Sequence, residues 1–450
     1  MNFELTREFL DEVKLAVKED NAAFVQEVLD ELFPADISQI LDELDAEEAR
    51  YVLDTLPVEI GAEIIINLEE ENQKDFIASF SPAQIARFIN FMESDDSVDI
   101  LQSLPIKLRE EVISFIKNPE KAKSILDLLH YEEDCAGGLM GKELIKANIN
   151  WNVVQCIEEI RRQAGRVNKI YSIYVVDDEN KLLGRVALKK IILAEDNTKI
   201  ADIYDPDVQV VETYKQEKEV AQLMQKYDLE AIPVVNLHGQ LLGRITIDDV
   251  VDVITEQAEL ERQLMSGISS DIDEDDSVLE LSKARLPWLV VGMVGGLLGA
   301  QFIGIFEGDL MLIPAMAFFI PLITATGGNV GIQSSSIILQ SLADKSLIHQ
   351  GYWWRLTKVL SVALLNGFVI AVLVFGFNMI LGQSLVLSTV VSIALFSVIL
   401  LASIMGTFTP LVLDSFGINP ALASGPFITT ANDLLGLGVY FLVAHLLLGL

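Results

Sequence analysis

The region from Leu286 to Leu450 carries almost no charge, and this feature limits the possible folds more than any other. It holds five acidic and three basic residues, whereas residues 1–285 hold 61 acidic and 29 basic residues. A helix that crosses a membrane needs roughly 20 consecutive apolar residues. The sequence therefore predicts a multidomain membrane protein, in which an acidic soluble part precedes a five-helix α transmembrane domain at 285–450. Five stretches are long enough to span, at about 286–306, 312–342, 354–381, 385–413 and 420–449.

The charges beside these stretches predict the orientation of the chain, because positively charged loops stay in the cytosol. The N-terminal segment is acidic and lacks an apolar core, so no cleavable signal peptide is expected. We expect a multi-pass protein of the bacterial inner (plasma) membrane, with the N-terminus and the 343–353 loop in the cytosol and the C-terminus outside. The basic residues that support this orientation are Lys283, Arg285, Lys345, Arg355 and Lys358.

The net charge of -34 argues against a nucleic-acid partner, because binding to phosphates requires a basic surface. An acidic surface suits metal cations. It can equally serve only to keep the protein soluble, so the positions of the acids decide between these two interpretations.

Residues 1–130 contain a repeat of twelve residues, which predicts a helical superhelix. Each unit has an apolar column residue followed by Pro or an acid, and those residue types suit the start of a helix. Short helices that stack on a shared apolar stripe form a solenoid. The three columns are Leu32, Leu44, Leu56, Leu68, Phe80, Met92, Leu104 and Ile116; Leu41, Leu53, Ile65, Ile77, Ile89, Leu101 and Ile113; and Ile40, Val52, Ile64, Phe76, Phe88, Ile100 and Val112.

Residues 131–252 contain two similar α/β units, at Ile170–Lys190 and Leu229–Asp249, each with two strands, a Leu-Leu-Gly-Arg segment and a helix. Their order and spacing resemble tandem cystathionine-β-synthase (CBS) domains. Such pairs often bind adenine nucleotides through a Thr or Ser and an Asp three residues later. Thr246 and Asp249 fit that pattern in the second unit, whereas the first unit has Ala187 and Lys190. Residues 253–284 then form an acidic connecting segment whose first part has helical character.

Two of the five apolar stretches contain polar residues, glycines and prolines that are unfavourable in a lipid-facing helix. Irregular or polar backbone at membrane depth is tolerated where it is buried in protein or lines a water-filled cavity. These segments predict the lining of a pore. The candidate residues are Gly327, Gly328, Asn329 and Gln333 in the second stretch, and Pro426, Thr429 and Asn432 in the fifth.

Asp433 is the main candidate for a cation ligand in the membrane. It lies about 13 residues into the fifth stretch, which corresponds to a depth of roughly 20 Å in a helix. A carboxylate there costs about 2.5–3.5 kcal/mol or more, and the fourth and fifth stretches contain no Lys or Arg. A protonated Asp bonded to a Thr or Asn on a neighbouring helix is the alternative. Mg²⁺ fits one carboxylate from each of two chains, because it keeps most of its water ligands.

Three segments resemble the MgtE family of magnesium channels: YEEDCAGGLM at 131–140, TGGNVGIQ in the second stretch and NPALASGPFITTANDLLG in the fifth. The resemblance covers nearly the whole chain in the same order of domains. It implies a homodimer in membrane lipid, with a Mg²⁺-selective pore between the second and fifth spans and Asp433 as its selectivity carboxylate. The family often has an acid before the Pro that opens the fifth span, whereas this chain has Asn419.

The resemblance also implies a gate, in which cytosolic Mg²⁺ bridges acids of the N domain, the CBS pair and the connecting plug helix at 253–284. ATP is a further candidate regulator through the CBS pair. Ordinary solvated acids are the alternative for each candidate. The candidate metal ligands are Asp228, Asp248, Asp249, Asp252, Glu256, Glu259, Glu261, Asp95, Asp96 and Asp99.

Two other functions are consistent with parts of the sequence. A coupled transporter of Co²⁺ or Mn²⁺ would have the same architecture. A CBS-regulated membrane enzyme would need a catalytic constellation, but the sequence has no metallohydrolase spacing and only four histidines. We therefore expect a protein that is not an enzyme.

Overall fold

The structure is a computed structural model that describes residues 3, 5–68, 70–167, 169–270, 272, 277–343, 352–423 and 425–449. It divides into two compact units, Met1–Ile254 and Thr255–Leu450. The first unit contains the repeat and the tandem α/β modules, and the second contains the apolar helices. Each unit is described by itself below.

The repeat forms one short helix and one turn per twelve residues, as the sequence predicts. From Pro34 to Ile106 the helices α3 to α9 begin at intervals of twelve. The helix at Ala46–Thr55 begins after Asp45 because the Asp45 carboxylate accepts hydrogen bonds from the backbone N–H groups of Glu47 and Glu48, which have no partner within the helix. The helices are α1 (Arg7–Lys18), α2 (Ala22–Leu29), α3 (Pro34–Asp42), α4 (Ala46–Thr55), α5 (Val58–Ile66), α6 (Glu70–Ala78), α7 (Pro82–Ile89), α8 (Ser94–Ser103), α9 (Ile106–Ser114) and α10 (Pro119–Leu128).

Alternate helices of the repeat pack on each other, so that α3 contacts α5, α5 contacts α7 and α7 contacts α9. The three apolar columns lie in this core and are buried except for Leu32, Leu44 and Ile113, which are partly buried. The shared stripe of a solenoid is therefore confirmed. The first turns of α3, α4, α5 and α8 carry acids, which include Asp36, Glu59 and Asp95.

The two α/β modules have the same topology, with two parallel strands followed by an antiparallel third strand. The strands predicted at Ser172–Val176 and Ile232–Val235 correspond to β2 and β5. In order, the first module contains β1 (Ile145–Asn148), α11 (Val153–Gln163), β2 (Ile173–Val176), β3 (Leu182–Val186), α12 (Leu188–Leu193) and α13 (Ile200–Ile203). The second contains β4 (Val211–Glu212), α14 (Glu217–Lys226), β5 (Ala231–Val235), β6 (Leu241–Thr246) and α15 (Ile247–Met265).

Helix α15 runs without a break across the predicted limit between the CBS pair and the connecting segment at residue 252. Its first turn follows strand β6 directly. Its last residues belong to the second unit, which begins at Thr255. One regular helix therefore carries the chain out of the second module.

The second unit contains five helices that are long and apolar enough to cross a membrane. They confirm the five predicted spans, with changes at their ends. The first begins at Val278, inside the predicted polar linker, and the second opens with a 3-10 turn at Pro314–Phe319. Most of the predicted inner loop, 344–351, lies outside the described residues. The helices are α16 (Val278–Ile305), α17 (Glu307–Leu312, short), α18 (Ile320–Ala343), α19 (Tyr352–Ile380), α20 (Leu385–Ser415) and α21 (Pro426–Leu448).

Helix α20 lies at the centre of this unit and packs on α18, α19 and α21. A Cβ atom on Gly406 would lie 2.3 Å from the carbonyl oxygen of Gly331, so α18 and α20 meet backbone to backbone. Small residues at such contacts are typical of membrane helix pairs, because apolar side chains gain little by leaving lipid. Close backbone contact therefore holds the polar segments of α18 in place.

Candidate cation sites

Helices α18 and α21 approach each other through the glycines of the TGGNVG segment. A Cβ atom on Gly328 would lie 3.1 Å from Cγ2 of Thr429 and 3.6 Å from Oδ1 of Asp433. A Cβ atom on Gly331 would lie 1.9 Å from Nδ2 of Asn432. The glycines thus provide the space in which the polar side chains of α21 lie.

Asp433 lies seven residues after Pro426, where α21 begins, which is about 10 Å along the helix axis. The long helix begins later than the sequence predicts, because residues Pro420–Ala423 form a separate 3-10 turn and are not part of it. Among the described residues no ion pair to Asp433 is found. The hydroxyl of Thr429 donates to the carbonyl oxygen of Gly425 at 2.9 Å and so does not donate to the Asp433 carboxylate.

Helix α18 also carries exposed polar side chains. Asn329 and Gln333 are exposed within the single chain and lie one turn apart on the same face. Gly327, Gly328 and Asn432 are instead buried, and Thr429 and Pro426 are partly buried. The predicted pore residues therefore form two groups, one on an open face of α18 and one at its contact with α21.

An acidic cluster in the first unit brings together residues from the repeat and from both α/β modules. The backbone N–H and the hydroxyl of Ser94, at the start of α8, donate to Oε2 of Glu143 at 3.1 and 2.6 Å. A Cβ atom on Gly141 would lie 2.5 Å from Oδ2 of Asp95, so this carboxylate reaches the backbone of the 141–143 segment. Oxygens of Glu93, Asp95 and Glu143 lie within 4.8 Å of one another, a spacing that suits a cation with oxygen ligands.

The electrostatics of this cluster are unfavourable unless a cation or protons are bound. Burial raises the pKa of the Asp95 carboxyl well above its usual value, and the charges of Asp96, Asp249, Glu143 and Glu93 raise it further. Burial, followed by the charges of Asp249 and Glu93, raises the pKa of Asp96 to about 7. Clustered carboxylates with raised pKa values are typical of functional sites.

Asp249 joins the cluster from the first turn of α15. Its Oδ2 accepts hydrogen bonds from the backbone N–H and the hydroxyl of Thr246, both at 2.9 Å. Burial raises the pKa of the Asp249 carboxyl to about 6, the bonds from Thr246 lower it, and Asp248 and Glu93 raise it. The Thr–Asp pair predicted for a nucleotide therefore exists, and its carboxylate faces the acids of the repeat.

Two basic side chains offset part of this charge. Arg244, which is 4 % exposed, donates to Oε2 of Glu93 at 3.3 Å and to the carbonyl oxygen of Lys169 at 3.1 Å. The ammonium group of Lys121 donates to the carbonyl oxygen of Met92. Burial lowers the pKa of Lys121, while Glu143, Asp96, Asp95 and Glu93 raise it.

The other predicted acids lie in different surroundings. Asp99, on the turn of α8 after Asp96, is exposed, as are Asp228, Asp252, Glu256 and Glu259, whereas Glu261 is partly buried. Burial and the charge of Asp248 raise the pKa of Asp252. Asp228 has a backbone φ of 49° at the end of α14. Of the predicted ligands, the structure therefore brings together Asp95, Asp96 and Asp249, whereas Asp248 is exposed beside Asp249.

Comparison with known proteins identifies these regions. The family model "MgtE intracellular N domain" matches residues 32–134, and that of the CBS domain matches 136–197 and 200–256. The family model "Divalent cation transporter" (MgtE) matches residues 320–443. The magnesium transporter MgtE of Thermus thermophilus is 34 % identical over 333 residues, which is 74 % of each chain. The chain belongs to the MgtE family.

Other relatives agree with this assignment. The magnesium transporter MgtE of Enterococcus faecalis is 34 % identical over 73 % of this chain and 72 % of its own. A crystal structure of the soluble part of a magnesium transporter is 31 % identical, covers 56 % of this chain and 98 % of its own, and has a TM-score of 0.51. The cytosolic domain of the Mg²⁺ channel MgtE in complex with ATP is 33 % identical over 54 % of this chain and 99 % of its own, with a TM-score of 0.51.

Membership of the MgtE family confirms the predicted fold class and makes the chain a multi-pass membrane transporter and not an enzyme. Sequence reasoning missed four residues of the acidic cluster: Glu93, Lys121, Glu143 and Arg244. Glu93 is the first residue of the ESDDSVD segment that contains the candidates Asp95, Asp96 and Asp99, and Glu143 follows the YEEDCAGGLM segment by three residues. The positions of Glu93 and Glu143 beside these two segments could have indicated them as candidates. That the two segments meet depends on the tertiary fold and could not be read from the sequence.

Proposed function

We propose that this member of the MgtE family is a homodimeric, Mg²⁺-selective channel of the plasma membrane that imports Mg²⁺ and is closed by cytosolic Mg²⁺. The proposal rests on one observation above all. Asp433 of α21 is a single carboxylate that lies against the face of α18 formed by Gly328 and Gly331, which we call the glycine face. This region of the chain is nearly free of charge. A carboxylate within a membrane helix normally serves an ion path or a proton path.

The ligand chemistry favours Mg²⁺ over softer metals. The candidate pore residues offer carboxylate, amide and hydroxyl oxygens, which suit hard cations. Mg²⁺ holds its water ligands and is usually bound through only one or two carboxylates. One Asp433 from each of two chains would supply two carboxylates to one hydrated ion.

The exposed face of α18 supports the dimer. Asn329 and Gln333 face away from their own chain, and polar side chains at membrane depth need protein or water around them. A two-fold axis beside this face would place both copies of it around a common aqueous path. Asn329 and Gln333 would then line the pore together with Thr429 and Pro426.

The acidic cluster is the proposed sensor of cytosolic Mg²⁺. Its carboxylates repel one another when bare and attract a shared divalent ion. A ligand shifts a conformational equilibrium only by its differential affinity for the two states. The proposed site is complete only when α8 lies against both the 141–143 segment and Asp249. It would therefore bind Mg²⁺ more tightly in that closed state than in the open state, which is the required difference in affinity.

Helix α15 is the proposed connection between sensor and pore. Asp249 lies in its first turn. At its other end, a Cβ atom on Gly425 would lie 2.4 Å from the carbonyl oxygen of Met265, next to Pro426 where α21 begins. Movement of α15 would therefore act directly on the helix that carries Asp433. Asp228, Asp252, Glu256, Glu259 and Glu261 remain candidate ligands for further regulatory ions.

ATP is a proposed regulator of the same gate. A relative's cytosolic domain has been crystallised in complex with ATP, and the Thr246–Asp249 pair is the arrangement with which CBS pairs contact ribose. The Asp249 carboxylate also faces the acidic cluster. The binding of ATP and the closure of the cluster would therefore compete for this carboxylate. An ATP affinity that does not change between Mg²⁺-free and Mg²⁺-saturated protein would contradict this competition.

Purified protein in lipid vesicles tests the proposal. We expect Mg²⁺ to enter vesicles down its own gradient without a proton or sodium gradient, and we expect millimolar Mg²⁺ on the side of the soluble part to reduce that entry. A requirement for a proton or sodium gradient would support the alternative, a coupled transporter of Co²⁺ or Mn²⁺. Protease digestion of the two ends from either side checks the proposed orientation, with the N-terminus in the cytosol and the C-terminus outside.

A further inference from the structure

The side chain of Asn432 is buried next to Asp433, and its polar atoms lack partners among the described residues. Asn432 is 2 % exposed. Neither its Nδ2 nor its Oδ1 has a hydrogen-bond partner among the residues that the structure describes. An amide that is buried without partners is costly, and most amides in protein interiors are satisfied by protein or by ordered water.

A second unpartnered group lies nearby on α18. Ser335 is fully buried, and its hydroxyl has no partner among the described residues either. It lies four residues after Gly331 and thus on the same face of the helix. The neighbouring Ser334 is different, because its hydroxyl is 3.2 Å from that of Ser403 on α20.

The chain makes specific room for the Asn432 amide. A Cβ atom on Gly331 would lie 1.9 Å from Nδ2 and 2.7 Å from Cγ2 of Ile428. Only glycine at this position lets the amide keep its place. Because Gly328 faces the Asp433 carboxylate and Gly331 faces the Asn432 amide, both polar groups lie against one face of α18, about one helical turn apart.

We propose that Asn432, with Ser335, binds ordered water inside each protomer and thereby positions α21 so that Asp433 presents its carboxylate to a hydrated Mg²⁺. An amide offers two donors and one acceptor and a hydroxyl offers one donor, which is enough for a water that typically makes about three hydrogen bonds. Asn432 is then a positioning residue for ion selection and not itself a ligand of the ion. This inference rests on the proposed function, since it assigns a role at the same pore.

Two variants remove the water-binding amide in different ways. Asn432→Leu replaces the amide by an apolar group of similar size, and Gly331→Ala displaces the amide with the new methyl group. Each is expected to lower the ratio of Mg²⁺ to Co²⁺ uptake into vesicles at least about tenfold, since a lost buried hydrogen-bond network has effects of this order. Asn432→Ser keeps a hydroxyl that can bind the same water and is expected to retain that ratio within about threefold.

Matched controls separate this role from general packing. Asn378→Leu removes another buried amide from α19, which is 2 % exposed and whose Nδ2 has no partner in the described part of the chain. Gly296→Ala adds a methyl group to a helical glycine of α16, and no atom of the described residues lies within 4 Å of the new Cβ position. Both are expected to leave the uptake ratio unchanged.

Thermal unfolding in detergent provides a readout that does not depend on transport. If water satisfies the amide, Asn432→Leu unfolds at a lower temperature than the unaltered protein. A higher unfolding temperature for Asn432→Leu would overturn the inference, because removing an amide that truly lacks partners stabilises a protein. An unchanged uptake ratio in Asn432→Leu and Gly331→Ala, or an equal change in Asn378→Leu, would also overturn it. Failure of the unaltered protein to take up Mg²⁺ would instead count against the proposed function alone.

Discussion

The membrane region and the acidic cluster use carboxylates in opposite ways. In the membrane region, one acid, Asp433, lies against glycines in a part of the chain that has almost no other charge. In the cluster, Glu93, Asp95, Asp96, Glu143 and Asp249 crowd together, and burial and mutual repulsion raise the pKa values of Asp95, Asp96 and Asp249. The first arrangement has one acid, whereas the second has several acids that repel one another unless a cation or protons are bound.

This difference suits two different tasks. A pore must release its ion, so weak binding through waters to few carboxylates is an advantage. A sensor must change shape when its ion binds, and it does so only if the closed packing is unfavourable without the ion. A conducting site and a sensing site thus differ in the number of their acids and in the distance from those acids to compensating bases.

The largest expected effect follows removal of the single pore acid. Asp433→Ala should reduce Mg²⁺ uptake into vesicles more than about a hundredfold, because no other acid lies on the glycine face to replace it. Asp414→Asn, at the end of α20, is the matched control and should conduct normally. Size-exclusion chromatography should show the same assembly for both variants. Full Mg²⁺ uptake by Asp433→Ala would show that the conducting site lies elsewhere.

A smaller but clear effect is expected when the cluster loses two of its acids. The double variant Asp95→Asn with Asp249→Asn removes both the repulsion and the ligands, so Mg²⁺ should no longer change the protease resistance of the soluble part. Inhibition of uptake by cytosolic Mg²⁺ should weaken about tenfold or more, since each lost charged ligand contributes on the order of 1.5–3 kcal/mol. Asp99→Asn, one turn along the same helix, should behave like the unaltered protein. If the Asp99 variant lost its Mg²⁺ response, the boundary of the cluster would be wrong.

The two regions also differ in how far the sequence could predict them. The repeat and the spans follow from periodicity and composition, so helices α3 to α9 begin where the columns place them. The order of the domains and Asp433 follow from the same local patterns. The contacts of the cluster could not be found in this way, because Glu143 reaches Asp95, and Arg244 reaches Glu93, only through the packing of the repeat on the two modules. The start of α21 was also misplaced, because the sequence does not show that residues 420–423 turn away from the long helix.

The membrane region should be sensitive to added side-chain volume, whereas the cluster should be sensitive to changes of charge. Gly406→Ala forces a methyl group against the backbone oxygen of Gly331, at 2.3 Å in the present packing, and overpacking of this kind costs about 1–3 kcal/mol. Its unfolding temperature in detergent should fall. Gly376→Ala, on α19, places its new atom more than 4 Å from every atom of the described residues, so it should be neutral or gain about 0.5–1 kcal/mol. Equal unfolding temperatures for the two variants would contradict the close contact of α18 with α20.

The smallest expected effect is a pH dependence that belongs to the cluster. The pKa values of Asp96, about 7, and Asp249, about 6, lie above the usual value of 3.8 for an exposed Asp. The closed packing therefore binds more protons than the open one, so without Mg²⁺ it gains stability as the pH falls through 7 and 6 and loses it as the pH rises through the same range. Protease resistance in a chelating buffer should thus be higher at pH 5.5 than at pH 8, a window set by these two pKa values.

Saturating Mg²⁺ should flatten this dependence, because the ion replaces the protons, and its binding near pH 6 should release protons that a pH-sensitive dye can detect. The double variant Asp96→Asn with Asp249→Asn should show a weaker pH dependence without Mg²⁺, because Asp95 is then the one acid left of the three cluster acids with raised pKa values. Resistance that instead increases with pH in the chelating buffer would mean that the carboxylates are stabilised in the closed packing by the bases Arg244 and Lys121, and the cluster would then need no ion to close.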